Sequence, residues 1–234
     1  MNVLAISCHP DDMEIFCGGT LLRCKKRGDN VTVCHVANGN RGHVVIGPEE
    51  LRKIRLAEAQ KAGEIGGFKV VTCDVGDLCV DSANRETHDK LVEIIREAKP
   101  DFIITHAPND YMSDHNETSK LAFDASFAAS CPQYRPDLGD AVNACPIFYM
   151  DNEGFFDFEP TEFVDITEEI DTKIEMLACH ESQVVWLRDH DGDDILERTR
   201  KTSGARGTQC GVEYAEAFRQ CMKGLRVVPR RLLP

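Results

Sequence analysis

The sequence of 234 residues lacks the features that mark several classes of protein. No apolar run approaches the roughly 20 residues that a transmembrane helix needs, so we expect no membrane association. Lys and Arg number 27 against 40 Asp and Glu, a formal net charge of −13. Clustered basic residues are needed to contact phosphates, so we expect no nucleic-acid partner. The first residues carry no basic segment of a secretory signal, which predicts a cytoplasmic protein.

The sequence also lacks the cysteine motifs of metal or redox sites and the glycine motif of a dinucleotide-binding site. None of the 11 cysteines is spaced as CxxC, which argues against a zinc ribbon or a thioredoxin-type motif. An odd number of cysteines predicts reduced thiols, with Cys34 and Cys73 filling the core. The turn after the first predicted strand has no glycine, which argues against a GxGxxG dinucleotide site. The remaining composition, 42% hydrophobic and 29% charged, is that of a globular protein.

Short β-branched runs alternate with helical stretches in the first half of the sequence. This alternation predicts an α/β fold with a Rossmann-like, doubly wound, mostly parallel sheet and helices on both faces. No linker is evident, so we expect one domain over residues 1–234. The predicted strands are 3–7, 31–36, 70–74 and 102–105, and the predicted helices are 13–26, 48–66 and 85–98.

The second half gives weaker signals. Residues 131–145 contain Pro and Gly with little periodicity, which predicts a long surface loop acting as a lid or as a contact in a homo-oligomer. Further strands are predicted at 147–150 and 163–166, a helix at 167–178, a turn at 189–194 and a final helix at 214–222.

Imidazoles and carboxylates follow two predicted strands at the point where each strand ends. They are His9, Asp11 and Asp12 after the first strand, and His106, Asp110, Asp114 and His115 after the fourth. Ligands of open α/β sheets bind at the carboxyl ends of strands. Two imidazoles and a carboxylate suit Zn²⁺ or Fe²⁺, and a further carboxylate can act as base. The alternative is that the paired aspartates only cap a helix.

Two glycines interrupt the first predicted helix. Gly18 and Gly19 each cost roughly 1 kcal/mol relative to alanine within a helix. We therefore expect this helix to approach a strand or a ligand closely.

The ordered motifs resemble those of the LmbE-like, or PIG-L-type, zinc-dependent N-acetylglucosaminyl deacetylases. The matching segments are His9-Pro10-Asp11-Asp12-x-Glu14-x-x-x-Gly18-Gly19-Thr20, Arg55-x-x-Glu58, Asn109-Asp110-Tyr111-x-x-Asp114-His115, His180-x-Ser182-Gln183 and Tyr214-x-Glu216-x-Phe218. The resemblance spans most of the sequence. It implies a zinc-dependent hydrolase of linear amide C–N bonds that removes acetyl from an N-acetylated amino sugar or glycoside, with oligomers common among relatives.

The resemblance also implies a role for each matched residue. His9, Asp12 and His115 would hold the metal, and Asp11 would be the general base. Other residues would support the reaction from nearby positions: Arg55 at the acyl or sugar groups, Tyr111 at the developing oxyanion, and Asp114 orienting His115.

Met112 departs from the family pattern, in which many relatives carry a histidine at this position. Methionine cannot donate a proton, so the group that handles the oxyanion and the leaving amine is open. His106, Tyr111 or His180 could substitute, and His180 is favoured because it lies in a matched motif, although a structural hydrogen bond is the alternative. Met112 would then contact the substrate, as would Arg41 in the loop after the second strand.

The departure leaves other functions open. One is a hydrolase of a different amide or of a carbamoyl group, and another is a non-catalytic metal-binding or regulatory relative.

Overall fold

The computed structural model describes residues 1–227 and 233–234. Within them, seven strands form one sheet in the order β3-β2-β1-β4-β5-β7-β6. The strands β1 to β5 pair in parallel, and β7 pairs antiparallel with both β5 and β6. The strands are β1 (Asn2–Ser7), β2 (Asn30–Ala37), β3 (Lys69–Val75), β4 (Phe102–Thr105), β5 (Ile147–Met150), β6 (Glu162–Asp165) and β7 (Ala215–Gln220).

Helices cover both faces of this sheet, as the alternation of apolar runs predicts. In β1, Val3 and Ala5 face a core shared with the first helices, whereas Leu4 and Ile6 face a second core on the opposite side. The predicted doubly wound fold is confirmed, and the prediction of one domain over residues 1–234 stays a prediction. The helices are α1 (Asp12–Phe16), α2 (Gly18–Lys26), α3 (Pro48–Gly66), α4 (Arg85–Ala98), α5 (Ser113–Ala129), α6 (Ile170–Ala178), α7 (Glu181–Trp186) and α8 (Ile195–Cys210).

The first predicted helix is broken in two at Cys17, whose φ of −146° is not helical. A Cβ on Gly19 would lie 2.8 Å from Ile166, so the helix approaches the chain after β6 as closely as expected. The break exposes the amide groups that begin α2. The buried carboxylate of Glu216 accepts hydrogen bonds from Gly19 and Thr20 at 2.9 and 2.7 Å.

The prediction of a final helix at 214–222 is wrong, because this segment contains β7. Its alanines and glutamate favour helix locally, but both faces of the strand are buried in the sheet, and tertiary packing overrides that preference. Helix α8 was not predicted at all. Its buried face is built from small and polar side chains, among them Thr199, Ser203 and Arg206, so it lacks an apolar stripe.

Residues 131–145 form the predicted loop, with one 3₁₀ turn at Pro136–Leu138. The loop is pinned to α4, because the buried guanidinium of Arg96 donates to the backbone carbonyls of Cys131, Tyr134, Arg135 and Gly139. None of residues 131–145, all of which are described, lines the candidate cleft. The prediction of a lid is therefore wrong, and that of an oligomer contact stays a prediction.

The cysteines are free thiols, and those predicted to fill the core do so. Cys34 and Cys73 are buried on adjacent strands with their Sγ atoms 3.9 Å apart. Among the helices of the described residues, none has both the length and the apolarity needed to span a bilayer.

Candidate active site

Asp12 lies at the centre of a buried group of imidazoles. Strands β1 and β4 are adjacent and parallel, so the loops that follow them meet at one edge of the sheet. The Oδ2 atom of Asp12 lies 3.4 Å from His9 Nδ1, 3.4 Å from His115 Nε2 and 3.3 Å from His106 Nε2. It also accepts a hydrogen bond of 2.6 Å from the backbone N–H of His9. The structure thus brings the three predicted ligands together.

The donor set fits a divalent metal ion. The Nε2 atom of His115 is buried without a hydrogen-bond partner among the described residues, which leaves it available to an ion. His106 also lies near Asp12, but its Nε2 atom accepts the backbone N–H of Cys8 at 2.9 Å, so that lone pair is engaged. His9, Asp12 and His115 therefore remain the best candidate ligands. The Cys8 Sγ atom, 3.6 Å from His9 Nε2, is a soft donor that sequence reasoning missed.

The carboxylates behind the imidazoles differ from the prediction. Asp114 was expected to orient His115, but its Oδ2 lies 3.4 Å from His9 Nε2 and accepts the backbone N–H of Leu78. Adjacent residues of a helix point in different directions, so Asp114 and His115 cannot face each other on α5. Asp110, in the preceding loop, lies 3.2 Å from His115 Nδ1 and takes the expected place.

Asp11 lies beside this group and is held by Arg55. It occupies the N-cap position of α1, but its side chain makes no capping hydrogen bond, so capping does not account for it. Its φ of +110° is unusual for a residue with a side chain and stores backbone strain. Arg55 donates to Asp11 Oδ2 at 2.9 Å and also to the carbonyls of Pro10 and Gly39.

The two adjacent aspartates have opposite pKa shifts. Burial raises the pKa of Asp11, although the neighbouring Arg55 opposes the shift. Burial would also raise the pKa of Asp12, but His115, His106 and His9 outweigh it and hold this pKa well below its ordinary value. The site therefore holds two different carboxylates: Asp12 is kept ionised among the imidazoles, and Asp11 beside them is more basic.

His180 does not reach the cleft. Its side chain is fully buried, and its Nε2 lies 3.4 Å from Glu14 Oε2. Burial lowers the pKa of His180, but Glu14 outweighs this effect and the pKa is raised. A general acid must contact the group that it protonates, and His180 is absent from the described cleft wall. The prediction of direct catalysis by His180 is thus contradicted by its buried position beside Glu14.

An open cleft of about 390 Å³ runs from the imidazoles to solvent. The predicted substrate-binding residues Arg41, Arg55 and Met112 all line it, as does Tyr111. Tyr111 is 62% exposed, and its hydroxyl donates to Glu153 at 3.0 Å. A cleft of this size accommodates a small polar molecule such as a sugar derivative.

Sequence reasoning missed several residues of the cleft wall. Asp77 accepts hydrogen bonds from the backbone of Gly39 and Arg41, and nothing in its local sequence marks it. Arg198 projects from α8, which was not predicted, and pairs with Glu153 and Asp193. Gln183 also lines the cleft, and its place in a matched motif was a usable signal.

The fold and site define a member of a known family. The family model for the PIG-L proteins, described as GlcNAc-PI de-N-acetylase, matches residues 4–126, which is more than half of the chain. The protein belongs to the PIG-L family.

Individual relatives divide into two kinds of enzyme. The chain is 28% identical over 229 residues to diacetylchitobiose deacetylase from Thermococcus kodakarensis, covering 93% of this chain and 82% of that protein. It is 27% identical over 192 residues to 4-oxalmesaconate hydratase from Pseudomonas putida, covering 78% and 74%. The solved 4-carboxy-2-hydroxymuconate hydratase from Pseudomonas putida superposes with a TM-score of 0.83 at 23% identity, covering 99% and 100% of the two chains, which shows a shared fold.

Proposed function

We propose that the protein is a zinc-dependent hydrolase that removes an acetyl group from an N-acetylated amino sugar or its conjugate. The observation that carries this proposal is the pairing of a buried, Arg55-held Asp11 with the imidazoles around Asp12 at one end of an open cleft. The family assignment and the diacetylchitobiose deacetylase relative support the same reaction class.

His9, Asp12 and His115 would hold the ion. When bound there, zinc supplies Lewis acidity that lowers the pKa of a coordinated water and polarises a carbonyl. The low pKa of Asp12 keeps its carboxylate ionised, as a metal ligand must be. The same ligands suit iron(II), so the identity of the metal is part of the proposal.

Asp11 would take the proton from the attacking water. A general base works best when its pKa lies near the working pH, and burial moves the pKa of Asp11 in that direction. The hydrogen bond from Arg55 fixes the carboxylate and leaves its second oxygen for the water. Asp11 would afterwards return the proton to the leaving amine, since His180 does not line the cleft.

Tyr111 would stabilise the oxyanion of the tetrahedral intermediate. Its hydroxyl is the phenolic donor on the described cleft wall, and it would turn from Glu153 towards the substrate. Met112 lines the same wall and offers only apolar contact, which suits the methyl of an acetyl group.

The test combines metal analysis with a panel of N-acetylated substrates. Protein purified in zinc-replete medium is assayed for bound metal and for acetate release from N-acetylglucosamine, diacetylchitobiose and N-acetylglucosaminyl inositol. We expect one zinc per chain and acetate release that stops after chelation and returns with added zinc. A protein that binds zinc stoichiometrically and releases no acetate from any member would refute the proposed reaction.

A second candidate is hydration of an unsaturated dicarboxylate. It is favoured by the hydratase relative together with the exposed guanidinium of Arg41 in the cleft. The same purified protein is mixed with a conjugated dicarboxylate, and loss of the conjugated ultraviolet absorbance reports water addition. Hydration without acetate release would replace the first proposal with this one.

A further inference from the structure

Arg41 differs from the other arginines of the cleft because it has no partner. Arg55 is committed to Asp11, and Arg198 is committed to Glu153 and Asp193. Among the described residues, no hydrogen bond or ion pair engages the exposed guanidinium of Arg41, which lines the cleft. In a chain with a net charge of −13, an unpaired cation at a binding site needs an explanation.

The loop that carries Arg41 is fixed by a buried carboxylate. Asp77 accepts the backbone N–H of Gly39 and that of Arg41, both at 2.8 Å, and its own N–H donates to Asn40. The backbone of Arg41 is therefore held in place before any ligand arrives. A pre-positioned group binds more tightly because less conformational entropy is lost on association.

The same loop packs against the residue that holds the catalytic base. A Cβ on Gly42 would lie 3.1 Å from Arg55 Nη1 and 3.0 Å from Gln183 Oε1, so the loop rests directly on these side chains. Arg55 in turn holds Asp11. Arg41 thus stands on the Asp11 side of the cleft, while Tyr111 and Met112 come from the loop after β4.

We propose that Arg41 selects substrates that carry an anionic substituent, a carboxylate or a phosphate, on the part of the molecule away from the acetyl group. This inference rests on the proposed function and narrows its substrate class to acidic N-acetylated amino-sugar conjugates. A guanidinium presents parallel N–H donors that match a carboxylate or a phosphate in a bidentate pair. Binding an anion gives Arg41 the partner that the protein itself does not supply.

The first arm of the test compares matched substrates. The values of kcat/KM are measured for N-acetylglucosamine, for its phosphate monoester and for N-acetylmuramic acid, which carries a carboxylate. We expect the wild type to favour at least one anionic substrate by about tenfold or more, as a charged hydrogen-bonded pair provides. The Arg41→Gln variant should lose this preference through KM, while Arg188→Gln, an exposed arginine paired with Asp189, should keep it.

The second arm needs no turnover. Calorimetry measures binding of the deacetylated amines: glucosamine, its phosphate monoester and muramic acid. Tighter binding of an anionic amine by the wild type, lost in Arg41→Gln and weakened by salt, supports the inference even if no substrate is hydrolysed. Three results overturn the inference, whatever the activity. They are equal binding of neutral and anionic amines, no binding of either anionic amine, and binding by Arg41→Gln that equals binding by the wild type. The phosphate and carboxylate arms identify which anion is recognised.

Discussion

The cleft has two walls of different origin. The wall that carries His9, Asp11, Asp12 and His115 lies in the loops after β1 and β4, within the segment that the family model matches. The facing wall carries Gln183, Asp193 and Arg198 from α7, α8 and the segment between them, beyond that segment. The proposed metal and base chemistry is thus concentrated in the part of the chain that resembles the family model. The facing wall adds polar groups from the part of the chain beyond that segment.

The largest effect is expected from Asp11 on the first wall. Asp11→Asn removes the proposed base, so acetate release should fall by about 10²–10⁴-fold while zinc stays bound, because Asp11 is not a proposed ligand. Acetate assays and metal analysis of the same preparation check this. Asp124→Asn, an exposed carboxylate of α5 that does not line the cleft, is the matched control. Retained activity in Asp11→Asn would show that another group is the base.

The same residue predicts a pH dependence. The base is active as a carboxylate, so kcat/KM should be lost as the pH falls through the pKa of Asp11. Because burial raises this pKa, the acid limb should lie above the ordinary range of an aspartate and should disappear from the residual rate of Asp11→Asn.

A smaller effect is expected from Asp110, behind the metal ligands. Asp110→Asn weakens the support of His115 Nδ1 and should lower zinc affinity by roughly 10–100-fold. Competition with a chromophoric chelator measures this affinity. Ser113→Ala, an exposed position at the start of α5, serves as the control. Unchanged zinc affinity in Asp110→Asn would show that a residue other than Asp110 orients His115.

The smallest effect is expected on the facing wall. Arg198→Gln leaves Glu153 and Asp193 without their cationic partner, so the wall that they form should lose its geometry. We expect KM to rise by roughly tenfold, the scale of one charged hydrogen bond, and zinc content and kcat to stay near those of the wild type. Steady-state kinetics on the best substrate of the panel provide the measurement. The control is Arg200→Gln, on the same helix as Arg198, which loses a surface pair with Asp171 of α6. Loss of zinc in Arg198→Gln would contradict the division between the two walls.

The first wall could be predicted from the sequence more fully than the facing wall. Strands β1 and β4 are apolar runs that end in chemically distinctive residues, so both the sheet edge and the His/Asp group could be predicted from the sequence. The partner of His115 could not be predicted. It is Asp110 rather than Asp114, because the directions of the side chains at the start of α5 decide which carboxylate reaches the imidazole. The break at Cys17 depends on Ile166 and Glu216, which are distant in sequence.

The facing wall could not be predicted, because its main helix carries no apolar stripe. Helix α8 buries Thr199, Ser203 and Arg206, and the last of these is neutralised by Asp151 at 2.6 Å. A buried ion pair thus takes the place of an apolar contact at Arg206, and such a pair leaves no periodic signal in a single sequence. Arg198 was therefore missed together with the helix that presents it.

The hydrogen bonds from Gly19 and Thr20 to Glu216 have a consequence for the order of synthesis. The donor and acceptor residues are separated by 197 and 196 positions, so a growing chain displays the uncapped start of α2 until translation has passed Glu216. The buried ammonium of Lys173 also pairs with this carboxylate, at 2.7 Å. One glutamate, made late in synthesis, therefore completes both the start of α2 and the buried ion pair with Lys173.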